Sequence, residues 1–306
     1  MSIKPKITVI GAANIDLFGY PKEELIFKDS NTGTLEVIFG GVGRNIAENL
    51  SRLGFKVEFL SVLGNDDFAK RIIRSCEELD ISIKHCKITE EHSTSVFMAI
   101  MDNHNDLALG LDAMRIYDQI PDSFILNNLD VIDQNDYCLL ETNMPKRILE
   151  LVTNKLPHIH FALDAVSGKK ALKAKSILDK LTILKCNLLE AELLSDIEIK
   201  SKNNYKDIVL HFIDLGVSKV FITLGKNGIV YGDSKGFYKM EINYLNPINT
   251  TGAGDSFMAG LLYGEIQGFN IHKMVQFANA CAQMTVQHKN TVHPEINEKQ
   301  ILKLIS

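Results

Sequence analysis

No uninterrupted apolar run in this chain approaches the ~18 residues that a helical membrane span requires, and no long apolar stretch precedes a cleavage site near the N-terminus. The expected location is therefore the cytoplasm. Positive charge is not in excess either. A net charge of -5 and a pI near 6.0 exclude a general attraction to nucleic acid or anionic membrane, which leaves a small molecule or a protein as the expected partner. Cysteine is sparse and odd in number: Cys76, Cys86, Cys138, Cys186 and Cys281 are widely separated and form no C-x-x-C. That argues against a disulfide framework or a zinc knuckle and predicts reduced, mostly buried thiols. His158 and His160 share an H-x-H spacing without further ligands to complete a metal site. No G-x-x-x-x-G-K-[ST] occurs, which excludes the P-loop way of holding a nucleoside triphosphate. Internal repeats and low-complexity segments are also missing. With 306 residues, the chain has room for one large α/β domain, or for one domain and a smaller appendage.

What is present begins with a short β-branched apolar run at 6–13 that ends in small residues, the pattern of a buried parallel strand opening onto a site. Asn14 and Asp16 follow. If the chain stays extended they share a face and can grip vicinal sugar hydroxyls; the alternative is a turn, which both residues favour. A strand at 35–39 then runs into Gly40, Gly41 and Gly43 and a helix with Ala47, Leu50 and Leu53 on its inner face. The spacing is not the G-x-G-x-x-G of a dinucleotide binder. The glycines serve either to let a substrate lie against the backbone within reach of Asn45, or to make a tight turn and close helix packing.

A strand at 57–62 and a helix at 66–79 precede three extended segments, 81–88, 94–101 and 107–111. Three in succession do not fit a doubly wound sheet. With the polar stretch after Tyr20 they predict a small β-layer over the main sheet, a lid that excludes water. From Asp136 onward strands at 137–140, 159–163, 181–184 and 219–223 alternate with helical patterns, which predicts a mainly parallel sheet covered on both faces with ligands at the strand C-terminal ends. Glu141 and Asn143, Asp164, Asn187 and Glu190, and Thr223 with Gly225 and Gly228 fall at those ends. Each alone reads as a cap or turn residue; together they outline one rim. The run of Lys169, Lys170, Lys173 and Lys175 reads as a solvated helix face, the alternative being a basic loop near a triphosphate.

The stretch 249–264, N-T-T-G-A-G-D-S-F-M-A-G-L-L-Y-G, organises the rest. Gly252, Ala253 and Gly254 lead into Asp255 and a run of helical spacing, so a helix N-terminus with free N–H groups is predicted, a ready anion site. A carboxylate there would repel a phosphate unless it had chemistry to do. General-base catalysis is one reading, the Asp taking a proton from a hydroxyl that attacks a terminal phosphate; a capping acid is the other. An ordinary Asp pKa of ~3.9 predicts full ionisation at neutral pH.

The segments F-G-G-V-G-R-N-I-A at 39–47 and N-T-T-G-A-G-D-S-F-M-A-G at 249–260 resemble the two signatures of the ribokinase (PfkB-type) family of carbohydrate and nucleoside kinases, and the resemblance spans nearly the whole chain. It implies a three-layer αβα fold with a mainly parallel central sheet, a single domain over 1–306, and a small β-sheet lid formed by inserted segments about 15–39 and 92–113. It also implies ATP and Mg2+ as cofactors and transfer to a 5′-hydroxyl. The segments G-A-A-N-I-D-L-F-G-Y, D-A-V-S and K-C-N-L-L-E are similar to members that act on pseudouridine, which makes that nucleoside the expected substrate, with ribose, adenosine or inosine as alternatives. A catalytically silent sugar or nucleoside sensor is the rival class. By resemblance, Asp255 is the base and Gly252, Ala253 and Gly254 the anion hole. Asn14, Asp16, Gly40, Gly41 and Asn45 hold substrate hydroxyls with Glu141 beside them. Asn187 serves the phosphates, Glu190 the magnesium, Thr223, Gly225 and Gly228 the nucleotide, and Asn279 the adenine. A homodimer through the lid is implied as well. One departure is Asn249, where the family commonly has Asp; the lost charge leaves a monovalent-cation requirement open.

Overall fold

In the computed structural model, which describes residues 5–104, 106–199, 204–243 and 246–305, the first strand sets the plan. Every residue of β1 (Lys6–Ile10) after Lys6 is buried, with Ile7 and Val9 in one hydrophobic layer and Ile10 in the other. A strand apolar on both faces belongs in the middle of a covered sheet.

From β1 the chain leaves the sheet for β2 (Asn14–Pro21) and β3 (Gly33–Gly40), then returns through helix α1 (Val42–Arg52) to β4 (Lys56–Leu60). It continues with β5 (Val62–Gly64), helix α2 (Asp67–Glu78), β6 (Ile81–Ser82) and β7 (Lys87–Thr89). A second excursion comprises β8 (Val96–Met101) and β9 (Leu107–Ala113). The later strands are β10 (Tyr137–Glu141), β11 (His160–Asp164), β12 (Leu181–Asn187), β13 (Lys219–Thr223) and the hairpin β14 (Ile229–Asp233) with β15 (Gly236–Met240). Helix α3 (Lys146–Lys155) joins β10 to β11, while α4 (Leu188–Ser195) and α5 (Asn204–Asp214) join β12 to β13. Helices α6 (Ala253–Ile266), α7 (Ile271–Val286) and α8 (Glu298–Ile305) follow the hairpin.

Among the described residues the large sheet has the order β15-β14-β13-β12-β11-β10-β1-β4-β6. It is parallel from β13 to β6 and antiparallel at β14 and β15. Strand order runs outward in both directions from the β1/β10 pair. That is a switch point, and the C-terminal ends around it open a crevice. Helices α1, α2, α6, α7 and α8 cover one face and α3, α4 and α5 the other. Helix α6 is apolar nearly all round and is accordingly buried between neighbours. The fold is ribokinase-like: a three-layer αβα body with a small second sheet.

That second sheet has the order β3-β2-β8-β9. Its register puts Val37, Leu17, Met98 and Leu111 in one row on one face, and Ile38, Asp16, Phe97 and Asp112 in a row on the other. The predicted extended segment 81–88 does not join it. Ile81 is buried in the core, so β6 lies beside β4 in the large sheet, and β7 pairs with β5. The β14–β15 hairpin is a further element that the periodicity of the sequence did not indicate. Asn14 and Asp16 lie in an extended strand rather than a turn, on one face.

The G-G-V-G turn packs directly on the end of β1. A Cβ on Gly43 would stand 2.6 Å from the Gly11 Cα, and one on Gly40 would overlap the Asp16 carboxylate. Close packing is thus one use of these glycines. Gly43→Ala is expected to destabilise the fold by about 1–3 kcal/mol, because backbone rather than a flexible side chain must yield. Urea denaturation measures this, and a midpoint equal to that of the parent would show that the approach is not tight.

Candidate active site

The crevice gathers side chains from both ends of the chain. Asp255 lies in the first turn of α6, whose start is set by Gly252 at φ 81°. A Cβ at Gly252 would stand 1.9 Å from the Thr291 carbonyl oxygen, so only glycine fits this left-handed position. The Ala253 N–H reaches back to the Thr250 carbonyl at 3.4 Å and Ser256 N–H to that of Gly252 at 2.9 Å. The amides of Gly254 and Asp255 are then the ones an incoming anion would meet.

Asn45, near the start of α1, donates from Nδ2 to Asp255 Oδ2 at 2.8 Å. Its Oδ1 is buried and without a hydrogen-bond partner, an open acceptor beside the carboxylate. Asn14 Nδ2 donates to Asp16 Oδ1, and both residues are buried. Gly40 and Gly41 form the turn between this pair and α1, with Gly41 as the helix cap. Glu141 is fully buried at the end of β10, where its carboxylate accepts the N–H groups of Ala12 and Asn143. It clamps the ends of β1 and β10 together from below.

Burial governs the charges here. It pushes the Asp255 carboxyl up to about 7, helped by the nearby charges of Asp164 and Glu141 and opposed by the Asn45 hydrogen bond and Lys185. The full ionisation expected from an ordinary Asp is therefore corrected: near neutrality the unliganded residue is close to half protonated. Glu141 is pushed up to about 7 by burial against its two backbone hydrogen bonds. Asp16 rises to about 6, again through burial, although the Asn14 hydrogen bond and Arg44 favour its anion.

Beside the start of α6 lies a cavity of about 420 Å³. Thr223, Gly225, Gly228 and Asn279 all line it, together with Ala253 and Gly254, and Phe257 and Val286 supply apolar wall. Four residues expected to serve a nucleotide thus come together next to the turn that starts α6. Asn187 and Glu190 do not line this cavity. They form a capping box at the start of α4: Glu190 N–H donates to Asn187 Oδ1 at 2.9 Å, and both Glu190 oxygens accept from Asn187, at 2.8 and 2.6 Å.

Among the described residues no group of three or more His, Cys, Asp or Glu side chains forms a metal cage. The donor set fits magnesium nonetheless. That ion keeps several waters and binds through one or two carboxylates plus substrate phosphates, and the Glu190 oxygens retain lone pairs for such waters. Asn249 is occupied at both ends, accepting the Thr251 N–H at 2.9 Å and donating to the Lys289 carbonyl at 2.9 Å, a donation that an Asp could not make.

Sequence reading missed Lys185. Its Nζ is 2.9 Å from Asp164 Oδ2, and both side chains are buried. The available signal was a lysine inside an otherwise apolar strand. Two members of the lysine run, Lys170 and Lys173, also differ from a solvated helix face. Lys170 Nζ lies 2.6 Å from Asn143 Oδ1 and 3.4 Å from Asp112 Oδ2, bridging the crevice rim to the small sheet, and Lys173 Nζ donates to the Thr142 carbonyl at 3.0 Å. Lys175 alone pairs outward, with Asp196.

Comparison with known proteins agrees with the family resemblance and the fold. The profile of the pfkB family carbohydrate kinases matches residues 4–298. A pseudouridine kinase of Escherichia coli is 29% identical over 307 aligned positions, covering 100% of this chain and 98% of that protein. A guanosine-inosine kinase of Exiguobacterium acetylicum is 24% identical over 95% of this chain and 98% of its own. Among solved structures, Arabidopsis thaliana ribokinase complexed with ribose and ATP superposes with a TM-score of 0.87 at 21% identity, covering 99% of both chains.

The raised Asp255 pKa has a thermodynamic consequence. Folded Asp255 keeps its proton up to about pH 7, whereas the unfolded residue releases it near pH ~3.9. The folded state therefore binds more protons in that window, and this group's contribution to stability falls as pH rises through it. Asp255→Asn is expected to melt a few degrees above the parent at pH 8, with the gap closing toward pH 4. Melting curves across this range check it; a variant that melts below the parent at pH 8 contradicts the assignment.

Proposed function

Because the chain belongs to the pfkB family of carbohydrate kinases, we propose that it transfers the terminal phosphate of ATP to the 5′-hydroxyl of pseudouridine, in the cytoplasm. The observation that carries the reading is the Asn45 amide. Its Nδ2 holds Asp255 while its buried Oδ1 is left for an incoming hydroxyl, which brings nucleophile and base together. Asn14 and Asp16 hold the remaining sugar hydroxyls, a reading supported by their burial as a hydrogen-bonded pair. ATP in the neighbouring cavity directs its phosphates toward the free amides of Gly254 and Asp255. The acceptor hydroxyl loses its proton to the Asp255 carboxylate as its oxygen bonds to phosphorus, and those amides meet the charge on the transferring group. Glu190 would hold a magnesium ion through its waters, and the ion when bound would supply further neutralisation of the triphosphate. The preference for pseudouridine rests on similarity along the full length to the Escherichia coli enzyme.

ADP release with magnesium and ATP tests this, comparing pseudouridine with uridine, ribose, adenosine and inosine at equal concentration. Pseudouridine is expected to give the highest kcat/KM, and Asp255→Asn to lower kcat by about 10²–10⁴-fold with nucleoside affinity retained. Preference for another acceptor would overturn the substrate, and an active Asp255→Asn would overturn the base.

A homodimer joined through the small sheet belongs to the same proposal. Leu35, Leu109 and Leu111 are more than half exposed and share the face that points away from Asp16. An apolar sheet face of this kind is suited to a second copy of itself. Sedimentation is expected to give twice the 34.2 kDa chain mass, and Leu109→Lys with Leu111→Lys to give the monomer. A monomeric parent protein would contradict it.

A further inference from the structure

We propose that Lys185 is a catalytic residue whose ammonium, carried on Asp164, meets the terminal phosphate of ATP at the amino end of α6. The inference rests on the phosphoryl-transfer reading above and assigns a cation that the family comparison does not.

Three observations converge on one spot. The first is position: Lys185 lies near the C-terminal end of β12, within L-T-I-L-K-C-N, and its side chain is 9% exposed. A lysine in such a strand needs both a partner and a reason, because a buried ion pair is on average no more stabilising than an apolar pair of the same volume. The second is the way its partner is held. Asp164 Oδ1 accepts the Val166 N–H at 2.9 Å, and Val166 adopts φ 60°, a conformation that β-branched residues rarely take. A strained turn thus fixes one oxygen of Asp164 and leaves the other, Oδ2, to hold Lys185. Strain of this kind collects at functional sites.

The third observation connects the pair to the anion site. A Cβ on Gly254 would stand 2.8 Å from Lys185 Nζ. Glycine at this position therefore leaves room for the ammonium, on the same residue whose amide is free for an anion and which lines the 420 Å³ cavity. Ammonium and amide approach the same space from a strand and a helix. The surroundings keep Lys185 charged: burial lowers its proton affinity, but Asp164, Glu190 and Asp255 together outweigh that and raise it. Of three ammonium hydrogens one is used on Asp164, and the others are free to bond phosphate oxygens.

In the transfer, the acceptor oxygen forms its bond to the γ-phosphorus as the bond to the β,γ-bridging oxygen breaks. The electron pair of the broken bond leaves with ADP, and the hydroxyl proton goes to Asp255. Lys185 exchanges no proton. It offsets the negative charge on the moving group, which lets four carboxylates, Asp164, Glu190, Asp255 and Glu141, stand near a triphosphate.

The test uses the full chain, Lys185→Met, and the double variant Asp164→Asn with Lys185→Met, which removes both members of the buried ion pair and so leaves neither without its partner if the single variant fails to fold. Calorimetry measures binding of ADP and of β,γ-imido-ATP with magnesium, alongside turnover. In both variants ADP affinity is expected to match the parent, affinity for the imido analogue to fall about tenfold or more, and kcat to fall about 10²–10³-fold. A double variant with the parent's ratio of analogue to ADP affinity and an unchanged kcat would show that Lys185 only neutralises Asp164. If the parent itself phosphorylated no acceptor, the phosphoryl-transfer reading would fail, while the ratio of binding constants would still decide whether Lys185 meets the γ-phosphate.

Discussion

The hydrogen bond from Asn45 to Asp255 joins residues 210 positions apart, and the rest of the molecule is arranged to make it possible. For the two helix starts to meet, α1 and α6 must lie side by side on one face of the sheet. Buried polar contacts deeper in that interface, such as Ser256 Oγ to Asn49 Oδ1 at 3.1 Å, hold them in register. The glycines before each helix have the same purpose: Gly43 lets α1 descend onto β1, and Gly252 turns the chain under Thr291 into α6. At both helix starts, backbone freedom is used where two chain segments approach closely.

The same closeness creates an electrostatic problem. Asp255, Asp164, Glu141 and Glu190 are buried at neighbouring strand and helix ends, with Lys185 as the buried cation among them. Burial, more than any single neighbour, raises the proton affinity of Asp255, Glu141 and Asp16. A protein selected for stability alone would not hold so many carboxylates out of water. A base near neutrality is, however, suited to taking a proton from a hydroxyl at working pH, and a triphosphate bound with magnesium changes the balance again.

Much of this was legible in the chain. The buried strand at β1, the polar rim at the ends of β10 to β13, and the two glycine-rich helix starts follow from periodicity and small residues, because those patterns are local. Thr223, Gly225, Gly228 and Asn279 were expected to share a nucleotide site and do line one cavity. What escaped was set by tertiary contact. Segment 81–88 looked like its extended neighbours until Ile81 found a place in the core. Lys170 and Lys173 read as solvated until the fold brought them against Asn143 and Thr142. Lys185 required knowledge of Asp164 across the strand pair, and the raised pKa of Asp255 required knowledge of its burial, neither of which a spacing pattern contains.

Burial pushes the Asp255 carboxyl up to about 7 before any ligand arrives. The most direct measurement is a carbon-13 NMR titration of the Asp255 carboxyl in the unliganded protein, assigned by difference against Asp255→Asn. A midpoint near 7 is the result this account predicts. A midpoint at the ordinary carboxylate value of ~3.9 would contradict it, and would return Asp255 to the role of a solvated helix cap.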